Sequence, residues 1–365
     1  MSKKRIVILG AGGVITSHIK AIQSNADRAE LVAVSDIREE RVKEVCEVFD
    51  IPNGYTDSTK MIAEQKPDLV QIITPPATHI DLIVECLEAG AWVLCEKPLC
   101  RSMAEHDVIT EAEKRTGNYV STVFQWRFGS AGKHMKKMIQ AEVFGKPLVI
   151  VCNTMWYRTQ DYYNADWRGT FEKEFGGPTM TLGIHLTDFM LSLMNDWAEV
   201  SAMTGTIDRD IQVEDIAMAH VRFENDAQAS IINSALSPRQ ETYMRMDFQK
   251  ATIELNAMYR YTNENWTFST HPDLEDDSIR QQWESLDIDF MGSHDQQLSE
   301  VLDAMESNTP PPVNGDESRR ILEFNASLYK SAFTGQRIQR GSITPDDPYY
   351  YSNNGSPEMM EQLQR

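Results

Sequence analysis

No apolar run in this chain approaches the ~20 residues that a membrane-spanning helix needs, so no transmembrane segment is expected. Cysteine is scarce. The five present, Cys46, Cys86, Cys95, Cys100 and Cys152, are odd in number and lack C-x-x-C spacing. That excludes a disulfide framework and reads as reduced, mostly buried thiols of a cytoplasmic protein. Basic residues number 35 against 55 acidic ones, and the net charge of −20 argues against nucleic acid and anionic membranes as partners. His134, His220, His271 and His294 stand isolated, with neither H-x-x-x-H nor H-E-x-x-H spacing, so no metal site is expected. Asp273, Glu275, Asp276 and Asp277 read as a solvated acidic loop. No G-x-S-x-G elbow for a nucleophilic serine is present. The start, Met1-Ser2-Lys3-Lys4, runs into a strand pattern without the apolar stretch of a secretory leader, so none is expected.

What is there is an ordinary globular composition, 41% hydrophobic and 25% charged, over 365 residues. That length exceeds a usual single core, so two domains are expected. The most informative stretch is Arg5-Ile6-Val7-Ile8-Leu9-Gly10-Ala11-Gly12-Gly13-Val14. Its β-branched run reads as a parallel strand buried on both faces. Gly10 permits a tight turn, and Gly12 lets a pyrophosphate approach the backbone. The helix that follows aims its unpaired N–H groups and positive dipole end at that pyrophosphate. Ile15 takes the place of the third glycine of a G-x-G-x-x-G pattern, a position that serves helix packing. A second apolar run, Leu31-Val32-Ala33-Val34, ends in Ser35-Asp36, where a carboxylate would accept from an adenosine ribose hydroxyl. Arg38 nearby could accommodate a 2′-phosphate, but Asp36 would repel it, so NAD is favoured over NADP.

Strand and helix patterns alternate to about residue 124, with further strands at Leu69 to Ile73, Trp92 to Cys95 and Tyr119 to Phe124. This predicts a doubly wound parallel sheet, with Thr74, Lys97 and Gln125 at carboxyl ends of strands, where such sheets bind ligands. From Leu148 the strands follow one another through turns, including a hairpin at Glu224-Asn225-Asp226. One helix, around Met180 to Met194, interrupts them, and helices Ser293 to Met305 and Ser318 to Phe333 follow. The expected class is α/β. A Rossmann domain spans 1–124 and an α+β domain with a large, mainly antiparallel sheet spans 125–343. Residues 344–365 form a loose arm.

Several motifs occur in order: Gly10-Ala11-Gly12-Gly13, Asp36, Thr74-Pro75-Pro76-Ala77-Thr78-His79 and Glu96-Lys97-Pro98. The second half adds Gly145-Lys146-Pro147, Trp167-Arg168, Gly176-Gly177-Pro178 and Gly183-Ile184-His185-Leu186-Thr187-Asp188. As an ordered set over roughly residues 5 to 340, they resemble the glucose–fructose oxidoreductase/inositol dehydrogenase family, Gfo/Idh/MocA. The resemblance implies oxidation of a hydroxyl carbon of a sugar or polyol, with hydride passing to the nicotinamide. It makes Lys97 and His185 the catalytic pair. Lys97 beside a cationic ring would have a depressed pKa and could take or give the hydroxyl proton. The cofactor would be held by Gly10, Gly12, Gly13, Val14, Asp36, Ile37, Arg38, Thr74, Pro75, His79, Glu96, Lys97, Gln125, Trp167 and Arg168. Substrate contacts are expected from Lys97, Arg127, Tyr157, Arg158, Thr181 and His185.

One position departs from the family pattern. Thr181 stands where many relatives carry Asp, and on one helix face Thr181, His185 and Asp188 could interact. Arginines among aromatics at Trp156-Tyr157-Arg158, Tyr162-Tyr163 and Trp167-Arg168, with Arg127 and more faintly Arg239, suggest an anionic sugar. Two other functions compete with the dehydrogenase: an NAD-dependent glycoside hydrolase using transient oxidation, and a non-catalytic NAD(H)-binding regulator. Apolar runs Ile216 to Ala219 and Ala229 to Ile232 predict a homodimer or homotetramer through the second domain's sheet.

Overall fold

The computed structural model describes residues 2–194, 196–273 and 277–363. The chain forms two compact units, Met1–Val123 with His294–Arg320, and Phe124–Ser293 with Ile321–Arg365.

The first unit opens with β1 (Lys4–Leu9), α1 (Ile15–Ser24), β2 (Ala29–Ser35), α2 (Glu39–Phe49), β3 (Gly54–Tyr55) and α3 (Ser58–Gln65). It continues through β4 (Leu69–Ile72), α4 (His79–Glu88), β5 (Trp92–Cys95), α5 (Met103–Thr116) and β6 (Val120–Thr122). The strands order as β3-β2-β1-β4-β5-β6, all pairs parallel. The order reverses between β1 and β4, and that is where a doubly wound sheet leaves a crevice beyond its carboxyl ends.

The second unit holds α6 (Ser130–Gln140), β7 (Pro147–Tyr157), α7 (Pro178–Thr181), α8 (Ile184–Leu193), β8 (Trp197–Gly205) and β9 (Ile216–Phe223). Then come β10 (Gln228–Ser234), β11 (Leu236–Phe248), β12 (Ala251–Ala257), β13 (Trp266–Thr270) and α9 (Ser278–Glu284). Its eight-stranded sheet runs β13-β12-β11-β7-β10-β9-β8-β14, where β14 is Ile338–Gln339. Every pair is antiparallel except β10 with β7. A large, mainly antiparallel sheet is therefore what the turn-linked strands build.

Three expectations need correction. The span 125–343 is not one domain, because α10 (His294–Ser307) returns to the first unit. Its stripe of Leu298, Val301 and Leu302 is buried in the same core as Ile6, Ile8, Val34 and Leu94. Helical periodicity reveals such a stripe but not which core will take it. The chain divides again inside α11 (Gly315–Thr334), after Arg320.

The helix expected over Met180 to Met194 is two helices, α7 and α8, separated at Leu182 and Gly183. Thr181 and His185 therefore do not share one continuous helix.

The tail is not a loose arm either. Tyr350, Tyr351, Ser352 and Asn353 are buried, Asn353 Nδ2 donates to the Phe175 carbonyl at 2.9 Å, and Lys330 pairs with Asp347. Single side chains anchor this segment, so no periodicity betrays it. It ends in α12 (Pro357–Leu363).

Candidate functional site

In the first unit the glycine turn lies at the carboxyl end of β1. Gly10 has a φ of +99°, and a Cβ there would lie 3.0–3.1 Å from the backbone of Ile73 and Thr74, so only glycine fits. At Gly12 a Cβ would meet nothing closer than 3.9 Å, so the fold itself does not demand glycine there. The space is open for a ligand. Helix α1 follows Val14, with no side-chain cap and no acid in its first turn, leaving its amino end suited to an anion.

Asp36 closes the neighbouring strand end. Its Oδ2 accepts from Ala11 N at 2.8 Å, and both oxygens accept from Arg38, at 3.0 and 3.2 Å. Burial pushes its pKa up, but hydrogen bonds from Arg38 and Ala11 and the charge of Arg38 prevail and lower it. Asp36 and Arg38, read as rivals, are thus paired. Ile37 between them is 91% exposed.

The β5 end carries Glu96, Lys97 and Pro98. His79 is fully buried beneath this loop, with Nδ1 2.9 Å from the Pro98 carbonyl and Nε2 2.9 Å from the Thr74 carbonyl. It braces two strand-end loops, a position different from the cofactor contact expected of it. Thr74 Oγ1 accepts from Thr78 Oγ1, and Pro75 stands exposed beside it. His294 is not isolated: with His18 it meets Glu96 Oε1, at 3.3 and 3.1 Å respectively. These three could also hold a metal ion, a grouping that sequence spacing did not show. His18 was missed. Its signal was a polar residue on the buried stripe Ile15, Ile19 and Ile22 of α1.

In the second unit, Gln125 and Arg127 lie on a single 3₁₀ turn, Gln125–Phe128. Gln125 Oε1 is buried without a partner among the described residues. Arg127 grips Asp188 through two bonds, of 2.7 and 2.5 Å, with both side chains buried. This buried pair gives Arg127 a structural partner instead of leaving it aimed at an anionic ligand. Both oxygens of Asp188 accept from this one guanidinium. The ring of His185 stands edge-on to Phe124, centroids 6.2 Å apart. Thr181 Oγ1 donates back to the Gly177 carbonyl at 2.9 Å.

Buried carboxylates hold the loops around these residues, and the sequence reading passed over them. Glu214 accepts from Gly177 N at 2.9 Å, Thr179 N at 3.1 Å and Tyr329 OH at 2.9 Å. Gly177 approaches so closely that a Cβ there would lie 1.8 Å from the Glu214 carbonyl. Asp215 accepts from the N–H groups of Ile207, Asp208 and Arg209. Glu174 takes Arg168 Nη1 at 2.7 Å and Gly169 N at 2.6 Å. Arg168 also lies over the rings of Tyr162 and Trp167, at 3.9 and 4.0 Å. Arg158 lies over Trp156 and Tyr162 at 5.1 and 5.2 Å, while Arg209 lies over Tyr157 at 5.3 Å. Arg239 points to solvent beside Glu241. Of the acidic loop, Glu275 and Asp276 lie outside the described residues, and Asp273 and Asp277 are exposed.

Two family models match in succession: an oxidoreductase family with an NAD-binding Rossmann fold over residues 4–124, and the Gfo/Idh/MocA C-terminal domain over 133–254. The chain is 24% identical to a myo-inositol 2-dehydrogenase of Thermotoga maritima over 90% of this chain and 96% of that protein. It is 22% identical to a D-apiose dehydrogenase of Paraburkholderia graminis, covering 93% and 91%. Among solved structures, the WlbA dehydrogenase of Bordetella pertussis in complex with NADH and UDP-GlcNAcA superposes with a TM-score of 0.82 at 26% identity, covering 93% of this chain and 99% of that one. No helix among the described residues is long and apolar enough to cross a membrane. With both halves matched in order and relatives similar along nearly its whole length, the chain belongs to the Gfo/Idh/MocA family of oxidoreductases.

Proposed function

We propose that this protein is an NAD-preferring dehydrogenase of a sugar, sugar derivative or polyol, with Lys97 and His185 as its proton-transfer groups. The observation that carries the reading is the strand-end set of the first unit. An open glycine turn, a carboxylate at Asp36 and a lysine at Lys97 lie at the carboxyl ends of β1, β2 and β5 of one parallel sheet. NAD, when bound, supplies the hydride acceptor. Gly10, Gly12, Gly13 and Val14 hold its pyrophosphate, and Asp36 accepts from the adenosine ribose. Exposed Ile37 offers an apolar surface for adenine. Thr74, Pro75, Glu96 and Gln125 serve the other end of the cofactor, with His79 bracing the loop from beneath.

Lys97 takes the substrate hydroxyl proton as hydride leaves the same carbon, and His185 is the second acid–base group. Tyr157, Arg158 and Thr181 contact the sugar, and Trp167 and Arg168 serve the cofactor. Arg158 has no carboxylate partner among the described residues, which makes it the arginine best placed to take an anionic sugar substituent. Activity with NAD on a panel of myo-inositol, D-glucose and UDP-GlcNAcA, followed at the NADH absorbance, tests the reading. Steady NADH formation supports it. Cleavage of a glycoside without NADH accumulation would replace it with redox-neutral hydrolysis, an alternative the named dehydrogenase relatives do not favour.

The assembly is proposed as a homodimer or homotetramer formed through the open face of the second sheet. Met203 pairs with Met218 and Met218 with Ile232, so apolar side chains line up across three strands. Met203 and Met218 are 78% and 49% exposed, a costly arrangement in a monomer. Light scattering that gave a monomer mass at micromolar concentration would overturn it.

A further inference from the structure

Three side chains from distant points of the chain meet within the first unit. His18 lies on α1, Glu96 ends β5, and His294 begins α10, the helix that returns after the second unit. His18 Nε2 and His294 Nε2 lie 3.1 and 3.3 Å from the same atom, Glu96 Oε1, and the two rings stand edge-on with centroids 4.9 Å apart. The other oxygen, Oε2, accepts the backbone N–H of Lys97 at 3.2 Å. His18 Nδ1 lies 2.8 Å from Gln71 Oε1, while Gln71 Nε2 is buried without a partner. Turning that amide over lets Gln71 donate to Nδ1 and leaves the Nε2–H of His18 to donate to Glu96.

We propose that His18 and His294 clamp the Glu96 carboxylate, and that Glu96 in turn fixes the backbone at Lys97, making both histidines positioning residues for the proton-transfer lysine. This rests on the assignment of Lys97 as that lysine. A carboxylate 9% exposed needs donors to remain charged. Burial pushes its pKa up, yet the hydrogen bonds from His18 and His294 hold it well below the usual carboxylate range. As a carboxylate it has acceptor capacity on both oxygens, so one is available to the histidines while the other keeps the Lys97 N–H. The cost of a misplaced reacting group is steep, which is why a residue far along the chain can matter to this loop.

The test compares wild type with His294→Ala, His294→Gln and Lys97→Ala. Two readouts are followed: turnover with NAD on the sugar panel, and labelling of Lys97 by pyridoxal phosphate and borohydride, located by peptide mass spectrometry. His294→Ala should lower kcat about tenfold, the scale of one lost hydrogen bond to a charged group, with the sugar KM and the NADH Kd changed less than about threefold. It should also alter the Lys97 labelling rate. His294→Gln keeps a donor and should restore both readouts to within about threefold of wild type. Should the alanine variant fail to fold, His294→Leu against His294→Gln is read the same way. Unchanged kcat and labelling in His294→Ala would overturn the clamp, as would equal impairment of the Ala and Gln variants. Stoichiometric uptake of zinc chloride in equilibrium dialysis, lost in His294→Ala, would also overturn it, because Nε2 would then ligate a metal. Near-normal turnover in Lys97→Ala sinks the role of the lysine itself. An inactive Lys97→Ala beside an unimpaired His294→Ala sinks only the clamp.

Discussion

In the first unit the groups of interest sit at the ends of parallel strands, where the sheet places them. In the second they sit on loops and short helices, which buried carboxylates hold in place. Gly12, Asp36 and Lys97 follow β1, β2 and β5. The region around Thr181 instead depends on Glu214 binding the N–H groups of Gly177 and Thr179, and the Arg158 to Arg168 loop depends on Glu174. The difference teaches that backbone geometry can present a cofactor site with few special side chains. A pocket made of loops needs charged anchors in low dielectric, where each hydrogen bond counts for more.

That contrast breaks first at the lysine proposed for proton transfer. Lys97→Ala should lower turnover on the order of 10²–10⁴-fold while NADH affinity measured by fluorescence changes little, because the grip proposed for the cofactor is the backbone of the glycine turn. Turnover close to wild type would dissolve the distinction between holding and reacting.

Glu214→Ala tests the anchors. It strands two backbone donors and the Tyr329 hydroxyl in the interior, so a loss of about 2–4 kcal/mol in unfolding free energy is expected. Glu214→Gln, which still accepts, should lose less. The sugar KM should rise and the NADH Kd should not; equal loss of both would show that Glu214 supports the whole chain.

The units should also respond to pH in opposite directions. His106 in the first unit is buried; burial and then the Arg319 charge lower its pKa to about 4 from 6.5. The unfolded chain therefore binds a proton below 6.5 that the folded unit refuses until about 4. Stability present above pH 6.5 is lost as the pH falls through that window, by an amount on the order of 3 kcal/mol. His106→Gln should flatten the acid limb of a denaturant–pH series. Burial raises Glu214, against the pull of its three donors. Its contribution is full below the ordinary carboxylate pKa and declines as the pH rises through the raised value.

The smallest effect expected is on cofactor choice. Asp36→Ala should weaken NAD by about tenfold, near 1.4 kcal/mol, and improve NADP relative to NAD. A wild type that already binds NADP more tightly would mean that Arg38 governs the pocket.

The first unit was legible because its signals are local. β-branched runs, the glycine turn and Asp36 all lie within a few turns of the elements they define, and β5 runs over Trp92–Cys95 as the pattern predicts. Two failures in the second half share one cause. A single helix was expected over Met180 to Met194, yet Gly183 packs so closely on Asn233 that a Cβ would lie 1.9 Å from its oxygen, and the helix breaks there. Asn233 lies on β10, far along the chain, and no periodicity announces it. Likewise Arg127, expected at the substrate, is gripped by Asp188, 61 residues further along the chain.

By itself, the sequence determined the alternating strands and helices of the first unit, where the backbone turns sharply at Gly10, and which acid ends β2. Those follow from conformational preferences and burial patterns that act over a few residues. Only the tertiary structure decided that α10 fills the core of the first unit, that Tyr350 to Asn353 pack instead of trailing, and that His18 and His294 share one oxygen of Glu96. Each is a pairing between residues remote in sequence. Its free energy comes from excluding water between surfaces that meet only once the chain has folded.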